Sequence, residues 1–288
     1  MAAAAAVGLA SCGKREARTA DGKALVSINA KGSDTMIQLT AAWSEAYGKA
    51  VPNVVVNASG GGSGTGIAAL QNGTVDVAFS SREIKQEEKD KVKAIAGKEV
   101  AEFAVAYDAL AVYTNPKNPI TEISIEELRE IWAENGSVNA WEQINPAFQG
   151  PIIFVGRQNN SGTYDYFREH ICGKTPEGKQ REFRKGISEL SGSSEVVETI
   201  GKTPAAIGYS GMGYKNDSVN WLKISAKKGE PGVEPGIESA RTGSYPIARK
   251  LYLYTAGNPE GELKNFIDWC LGPEGQAIVA KEHFVPLK

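Results

Sequence analysis

Short apolar segments alternate with helical segments along most of the chain, and the turns between them are rich in glycine and hydroxyl groups. The first unit places Val26 and Ile28 in a predicted strand, breaks at Gly32, and continues with Met36 and Leu39 at helical spacing. The same order recurs in the segments VVVNASGGGSGTGIAALQNG, VDVAFSSREIKQEEKDKVKAIAG and PIIFVGRQNNSGTYDYFREHIC. This alternation predicts an α/β fold with doubly wound, mostly parallel sheets and helices on both faces.

Two longer apolar strands suggest how the chain is divided. They lie in AYDALAVYTN and YPIARKLYLYT, are similar in character, and bracket a central region, so we expect them to pair. We predict that the chain leaves one lobe near Tyr107 and returns near Tyr245, with these strands as hinges. Residues 25–107 with 245–288 would form lobe 1, and residues 108–244 would form lobe 2.

The composition is that of an ordinary globular protein. Of 288 residues, 41% are apolar and 23% are charged, and the formal net charge is -2. A nucleic-acid binder usually carries a basic surplus, so we expect no nucleic-acid partner. A small anion is compatible with this charge, because a few local groups can outweigh the global balance.

The N-terminal segment differs from the rest. MAAAAAVGLASC is apolar and too short to span a bilayer, as expected of the apolar part of a secretory signal peptide. It ends in Leu9-Ala10-Ser11-Cys12, which resembles a bacterial lipobox, so we expect Cys12 to carry a lipid. The polar stretch that follows, up to residue 24, is predicted to be a flexible tether. The protein would then be extracytoplasmic, periplasmic or at the cell surface, and anchored to a membrane.

The remaining cysteines and the histidines offer little chemistry. Cys172 and Cys270 could pair in an oxidising compartment or remain as two separate buried thiols, and the sequence leaves both open. His170 and His283 are the two histidines, and no Cys/His cluster has metal-ligand spacing. We therefore expect no metal, no cofactor and no histidine-based catalytic triad.

Four strand-to-helix turns share one chemistry. They are Gly32-Ser33-Asp34-Thr35, Gly62-Ser63-Gly64-Thr65, Ser80-Ser81-Arg82, and Arg157 to Thr163. A helix N-terminus offers free N–H groups and partial positive charge, glycine permits close approach, and hydroxyls add donors without charge. Any one such turn is usually a helix cap. Four of them, with Arg82 and Arg157 able to contact an anion bidentately, predict a cradle for a small tetrahedral oxyanion.

Three common alternatives for the glycine run are excluded by its spacing. No Lys-Ser or Lys-Thr follows the last glycine as Walker A requires. Ile67 occupies the third glycine position of a dinucleotide fingerprint, and Thr65 stands where a nucleophile elbow needs its second glycine. These absences count against a kinase, a dehydrogenase and a hydrolase.

From Ser27 to the C-terminus the chain resembles the phosphate-binding proteins of bacterial phosphate ABC importers, a family of two-lobed substrate-binding proteins. The resemblance is carried, in order, by GSDT, GGGSGTG, RQNNSGT, TPAAIGY, YPIARKLYLYT and FIDWCLGPEGQAIVAKEHFVPL. Arg-x-x-x-Ser-Gly-Thr after a strand is its most specific motif. The resemblance implies a monomeric binding protein, not an enzyme, that closes around inorganic phosphate and delivers it to the permease subunits of an ABC transporter.

The resemblance also implies roles for individual residues. The Thr35 hydroxyl, the Met36 N–H and Ser63 would donate from one lobe, and Arg157 would make the charge-assisted contact. From the second lobe, Ser161, Gly162 and Thr163 would close over the anion. The candidate ligand-binding residues are Ser33, Asp34, Thr35, Met36, Ser63, Ser81, Arg82, Arg157, Ser161, Gly162 and Thr163.

One departure from the family pattern bears on selectivity. Many members carry an aspartate in the turn after the third strand, where it accepts the proton of hydrogen phosphate and excludes sulfate. Here Ser81 falls at or next to that position, and serine repels sulfate far less than a carboxylate would. Asp34 is either a substitute acceptor or a helix cap. Sulfate, molybdate or tungstate therefore remain alternative ligands, and a secreted phosphatase or a sensor remains an alternative function.

Overall fold

The computed structural model describes residues 24–287, where nine strands build one large sheet and two short strands, Glu122–Ser124 and Lys223–Ser225, pair with each other in a separate sheet. The predicted lipid attachment at Cys12 and most of the predicted tether lie outside the described residues. The strands are β1 (Val26–Gly32), β2 (Val54–Ser59), β3 (Val77–Ser80), β4 (Val100–Thr114), β5 (Glu122–Ser124), β6 (Ile153–Arg157), β7 (Ser188–Leu190), β8 (Ala206–Gly211), β9 (Asn220–Trp221), β10 (Lys223–Ser225) and β11 (Ala248–Ala256).

Helices follow most of these strands, as the sequence predicts. They are α1 (Ile37–Ala50), α2 (Ser63–Gln71), α3 (Gln86–Ala96), α4 (Ile125–Trp132), α5 (Gly162–Phe167), α6 (Ser193–Lys202), α7 (Ile237–Arg241), α8 (Gly261–Leu271) and α9 (Pro273–Lys281). A π-helical turn, Arg168–Cys172, continues α5, and a 3-10 turn, Met212–Tyr214, follows β8. Within residues 24–287, no helix combines the length and the apolar character needed to cross a membrane.

The strand order is β2-β1-β3-β11-β4-β8-β6-β7, with β9 pairing beside β4. Strands β1, β2 and β3 run parallel, as do β6, β7 and β8. The pairs β3–β11, β11–β4 and β4–β8 are antiparallel. Because the carboxyl ends of parallel strands meet at one edge of a sheet, each parallel group brings its strand-to-helix turns together.

The two long strands pair along their length, as expected. β11 pairs with the first part of β4, from Ala248 opposite Ala109 to Ala256 opposite Val100. The last part of β4, from Leu110 to Thr114, pairs instead with β8. The predicted α/β fold is therefore confirmed, with one difference: the sheet is continuous, because β4 belongs to both of its halves.

The hydrophobic core follows this arrangement. One cluster of buried side chains comes from residues 109–247 with Val285, and two others come from residues 28–106 and 251–284. Side chains of β11 alternate between the last two clusters, with Leu251 and Leu253 in one and Tyr252 and Tyr254 in the other. Successive strand residues point to opposite faces, so this part of the sheet packs helices on both sides.

Cys172 and Cys270 are both free and buried. They belong to different core clusters, so the structure supports two separate thiols over a disulfide. Burial raises the pKa of Cys172 to about 12 and raises that of Cys270 well above its usual range. Both thiols are therefore protonated and poorly reactive in the folded protein.

Trp132 offers a test of the larger core cluster. Its fully buried ring makes edge-on contacts with Phe154, Phe167 and Tyr209, at centroid distances of 5.8, 5.4 and 5.2 Å. We expect Trp132→Ala to lower the free energy of unfolding by about 3–5 kcal/mol, because it leaves a cavity. Ile95→Ala, at a position 62% exposed, should change it by less than about 0.5 kcal/mol. Urea denaturation of both variants measures this, and equal effects would contradict the assignment.

Candidate functional site

Three of the predicted turns meet at a group of serine hydroxyls. Ser33 follows β1, Ser63 opens α2 and Ser81 follows β3. Ser33 Oγ donates to Ser81 Oγ at 2.8 Å, and Ser81 Oγ lies 3.4 Å from Ser63 Oγ. All three side chains are at most 2% exposed. The parallel order of β1, β2 and β3 therefore gathers hydroxyls that are far apart in sequence.

The fourth turn reaches the same place from the other half of the sheet. Thr163, in the first turn of α5, has its Oγ1 2.7 Å from Thr35 Oγ1, and both residues are fully buried. Thr35 lies two residues before the start of α1, so this contact joins the turn after β1 to the turn after β6. Five buried hydroxyls, from Ser33, Thr35, Ser63, Ser81 and Thr163, thus lie in one region.

Gly162 allows the two halves to approach this closely. A Cβ at this position would lie 2.3 Å from Ser63 Oγ and 2.8 Å from Ser81 Oγ, which is shorter than any ordinary contact. Any larger residue would have to push the serine turns away from α5. The glycine of the Ser-Gly-Thr sequence is thus required by packing.

The glycine run before α2 makes a second close contact. Gly62 has φ of +92°, and a Cβ there would lie 2.5 Å from the Asn160 carbonyl oxygen. Gly64 N donates to that oxygen at 3.0 Å, and Asn160 Nδ2 donates back to the Gly61 carbonyl at 2.9 Å. Glycine supplies both the positive φ and the space, so this run holds the second turn against the fourth.

Arg157, at the end of β6, is buried beside these turns. Its Nη1 donates to Ser193 Oγ at 2.8 Å, and its Nη2 donates to the Ser191 carbonyl at 2.7 Å and lies 3.3 Å from Asp34 Oδ2. Its Nε has no hydrogen-bond partner among the described residues. Burial lowers the pKa of the guanidinium, and Asp34 opposes that shift. An arginine remains charged under such a shift, so the site holds a buried positive charge.

Asp34 connects two turns. Its Oδ1 accepts from Gly61 N at 2.8 Å, and its Oδ2 faces Arg157. The cap position of α1 receives no side-chain hydrogen bond, so Asp34 does not cap that helix. The hydroxyl of Tyr214 donates to the Asp34 carbonyl at 2.8 Å. The carboxylate is thus occupied by protein groups on both oxygens.

Two of the predicted donors are engaged locally. The Met36 N–H donates to the Ser33 carbonyl at 3.0 Å, and the Met36 side chain lies in the core. Ser161 caps α5, because its Oγ accepts from Thr163 N and Tyr164 N. Both residues shape the turns in this conformation, and their role as anion ligands stays a prediction.

Arg82 is also directed away from the hydroxyls. Its Nη1 and Nη2 each lie 2.8 Å from a carboxylate oxygen of Glu88, and its Nε lies 2.9 Å from Asp165 Oδ2. Ser80 Oγ donates to the Arg82 carbonyl at 2.8 Å. These contacts hold the Ser81 turn against α5, which carries Asp165. In the described conformation Arg82 therefore acts as a positioning residue, with its charge matched by carboxylates.

Sequence reasoning missed a third buried arginine, in addition to Arg82 and Arg157. Arg249 lies on β11 directly opposite Asp108 on β4, and its Nε and Nη2 donate to Asp108 Oδ2 at 3.1 and 2.8 Å. Arg249 Nη2 also donates to Thr163 Oγ1 at 2.9 Å, while its Nη1 has no partner among the described residues. A signal was present, because both charges interrupt otherwise apolar strands. Only the register of β4 and β11 shows that they pair.

The charge of the surrounding backbone favours an anion. Helices α1 and α2 begin at this edge of the sheet, and neither has an acidic residue in its first turn. By contrast, the exposed helix α3 has two acidic residues there, Glu87 and Glu88. Helix N-termini free of carboxylates keep their partial positive charge for a ligand. Residues 24–287 contain no group of three or more His, Cys, Asp or Glu side chains arranged to hold a metal ion.

The chain is similar in sequence to known proteins. The family model described as PBP superfamily domain matches residues 17–274. The phosphate-binding protein PstS of Pseudomonas aeruginosa is 31% identical over 280 residues, which is 91% of this chain and 83% of that protein. The PstS of Bacillus subtilis is 31% identical over 268 residues, covering 92% and 82% of the two chains.

The chain is also similar to solved structures of phosphate-binding proteins. A chain from Clostridium perfringens, described as a phosphate ABC transporter substrate-binding protein with bound phosphate, superposes with a TM-score of 0.79 and 29% identity. The match covers 91% of this chain and all of that one. PstS from Borrelia burgdorferi gives a TM-score of 0.60 with 29% identity, covering 91% and 99%. The chain belongs to the PBP superfamily and, within it, to the family of PstS phosphate-binding proteins.

The Arg82 network can be tested by stability. Burial alone would raise the pKa of Glu88, but hydrogen bonds and charge from Arg82 outweigh it and the pKa is lowered. We expect Arg82→Met to cost about 3–5 kcal/mol at neutral pH, because it leaves buried carboxylates unpaired. A lowered carboxyl pKa stabilises the fold above the unfolded pKa, and that contribution is lost as pH falls through the folded pKa. The difference between wild type and variant should therefore shrink below about pH 4.5.

A neighbouring lysine provides the control. Lys85 lies 3.4 Å from the same Asp165 but is more than one-third exposed. We expect Lys85→Met to cost less than about 1 kcal/mol, because solvent screens the pair. Denaturant unfolding at neutral and acidic pH compares the two variants. An Arg82→Met cost that is small, or that does not change with pH, would contradict the network described here.

Proposed function

We propose that the protein is an extracytoplasmic binding protein for inorganic phosphate and that it delivers this anion to the permease of an ABC transporter. The observation that carries the proposal is the gathering of five buried hydroxyls from four turns, beside the buried charges of Arg157 and Arg249. Such a region supplies many hydrogen-bond donors to a small dehydrated anion. The relatives named as phosphate-binding proteins support the ligand.

Binding would use two lobes. Residues 25–107 with 245–288 would form lobe 1 and residues 108–244 lobe 2, joined by β4 and β11. In support, the core clusters separate on β4 between Ala106 and Ala109, and at the start of β11 between Ile247, which precedes the strand, and Leu251. An anion that contacts Ser63 and Thr163 together would stabilise a closed arrangement, since it gains its full set of donors only there.

The cellular setting is part of the same proposal. Cys12 would carry a lipid that anchors a monomer to a membrane, with the segment up to residue 24 as a tether. The closed, phosphate-bound form of the protein would dock on the permease subunits and deliver the anion to them. The protein would be a carrier with no catalytic step, and its relatives are named as binding proteins, which are not enzymes.

A second candidate ligand class is another tetrahedral oxyanion, such as sulfate, molybdate or tungstate. The observation that favours it is Ser81, which places a hydroxyl among Ser33, Ser63 and Gly162. A hydroxyl can donate to sulfate as readily as to phosphate. Competition titrations of phosphate against these anions separate the candidates.

Arg157→Met tests the charged contact. Methionine keeps much of the side-chain volume but removes the charge and the donors, so we expect phosphate affinity to fall about 100-fold or more. Arg184→Met is the control, because Arg184 stacks over Phe154 at 4.4 Å and lies outside the hydroxyl region. Isothermal titration calorimetry with inorganic phosphate measures both. Near-wild-type affinity in Arg157→Met would remove this turn from the site.

Gly162→Ala tests the approach of α5 to the serine turns. The added methyl group would overlap Ser63 Oγ, so we expect phosphate affinity to fall at least about 10-fold. Gly236→Ala is the matched control, because its φ of -174° suits any residue and the nearest atom to a Cβ would be 3.7 Å away. If both variants bind phosphate with wild-type affinity, the close approach of Gly162 to Ser63 is not needed for binding, and the proposed site is wrong at this point.

A further inference from the structure

Asp108 is a buried carboxylate with one oxygen in use and one free. Its side chain is fully buried on β4. Oδ2 accepts two hydrogen bonds from Arg249, while Oδ1 has no partner within hydrogen-bond geometry among the described residues. The Met212 N–H lies near the carboxylate, but it is the smallest of the influences on the pKa of Asp108. An acceptor held out of water without a partner is costly, so an unsatisfied carboxylate oxygen in a native core calls for a function.

The carboxylate lies next to the hydroxyl region. Arg249 Nη2 bridges Asp108 Oδ2 and Thr163 Oγ1, at 2.8 and 2.9 Å, and Thr163 contacts Thr35. From the other side, a Cβ built on Gly211 would lie 3.2 Å from Asp108 Oδ1 and 3.3 Å from Thr35 Cγ2. A side chain at position 211 would crowd the carboxylate and Thr35 together, so glycine at this position lets Asp108 lie beside Thr35.

The other carboxylates near the four turns are already occupied. Asp34 accepts from the Gly61 N–H with one oxygen and faces Arg157 with the other. Asp165 is paired with Arg82, and the turn after β3 offers only the Ser81 hydroxyl. Asp108 is thus distinguished from Asp34 and Asp165 by its unused oxygen.

We propose that Asp108 accepts the proton of hydrogen phosphate through Oδ1 and thereby makes the site select phosphate over sulfate. This inference rests on the proposed function. It answers the question raised by Ser81, because it places the acceptor on β4 instead of in the turn after β3. It also gives Arg249 a role. Its guanidinium donates to Asp108 Oδ2, which fixes the carboxylate, and to Thr163 Oγ1, which is one of the hydroxyls proposed to contact the anion.

The chemistry follows from the two anions. Near neutral pH, phosphate carries at least one O–H group, whereas sulfate carries none. The phosphate O–H donates to Oδ1 and the other phosphate oxygens accept from hydroxyls and arginines, with no proton leaving either group. A sulfate oxygen placed against the same carboxylate meets only repulsion, and this repulsive contact rejects sulfate.

Neighbouring groups tune the acceptor. Burial raises the pKa of Asp108, against opposing effects of Arg249 and the Met212 backbone N–H. A raised pKa makes the carboxylate a stronger proton acceptor. The Asp108 charge in turn contributes to the raised pKa of the tyrosines at positions 113, 166, 214 and 245.

The test is the ratio of phosphate to sulfate affinity, measured by calorimetry on the full chain. Wild type should bind phosphate at least about 100-fold more tightly than sulfate, and Asp108→Asn should reduce this ratio at least about 10-fold. Asparagine keeps the shape but presents no negative charge, so sulfate affinity should rise while phosphate affinity falls. Asp76→Asn is the matched control and should keep the wild-type ratio, because Asp76 is exposed and its carboxylate accepts from Asn29 N away from the hydroxyl region. Asp34→Asn is measured beside it as the variant of the rival acceptor.

Removing Asp108 alone leaves Arg249 buried without its partner, which could prevent folding. A second pair of variants avoids this: Arg249→Gln alone, and Arg249→Gln together with Asp108→Asn. Both should bind phosphate more weakly than wild type. Only the double variant should lose the preference for phosphate, because only it lacks the carboxylate.

The outcomes separate the inference from the function on which it rests. Wild type that binds neither anion overturns both. Wild type that binds phosphate and sulfate equally, or an Asp108→Asn or double variant that keeps the full preference, overturns the role of Asp108 and leaves anion binding intact. Loss of the preference in Asp34→Asn with its retention in Asp108→Asn would assign the acceptor to Asp34.

Discussion

The pairing of β4 with β11 is the interaction on which the rest of the structure depends. β4 exchanges β11 for β8 partway along its length, and so it joins two groups of parallel strands into one sheet. The same register sets Asp108 opposite Arg249. A slip of one residue would turn every side chain of the strand to the other face and would separate that pair. Fold and site are thus fixed by one strand alignment.

Local sequence patterns are sufficient to predict most helices and strands and to predict that the polar turns lie close together. Ser124 followed three residues later by Glu127 is the sequence pattern of a helix start, and the two residues form a reciprocal cap on α4. The four polar turns lie at the ends of parallel strands, and such ends share an edge by geometry. For that reason Ser33, Ser63 and Ser81 could be expected together from their order in the chain, before any coordinates.

The partners of charged side chains could not be predicted in this way. Arg82 and Arg157 looked equivalent in sequence, because each follows a strand and precedes a helix. The structure pairs Arg82 with two carboxylates, those of Glu88 and Asp165. Arg157 instead donates to Ser191 and Ser193 and has the Asp34 carboxylate at 3.3 Å. Asp108 and Arg249 are 141 positions apart, and the sequence around either residue does not indicate that the other is its partner. Such assignments depend on strand register and helix placement, which are properties of the whole sheet.

A buried ion pair is seldom retained for stability alone, because desolvation of both charges offsets most of their attraction. The Asp108–Arg249 pair makes sense when its two members act differently on an anion. In the proposed site, Arg249 would attract any tetrahedral oxyanion, whatever its protonation, and so would contribute affinity without selectivity. Asp108 would penalise every oxyanion except one that brings its own proton. Both residues lie on the strands that join the two halves of the sheet, beside the contact between Thr35 and Thr163, so selection would be coupled to the proposed closure.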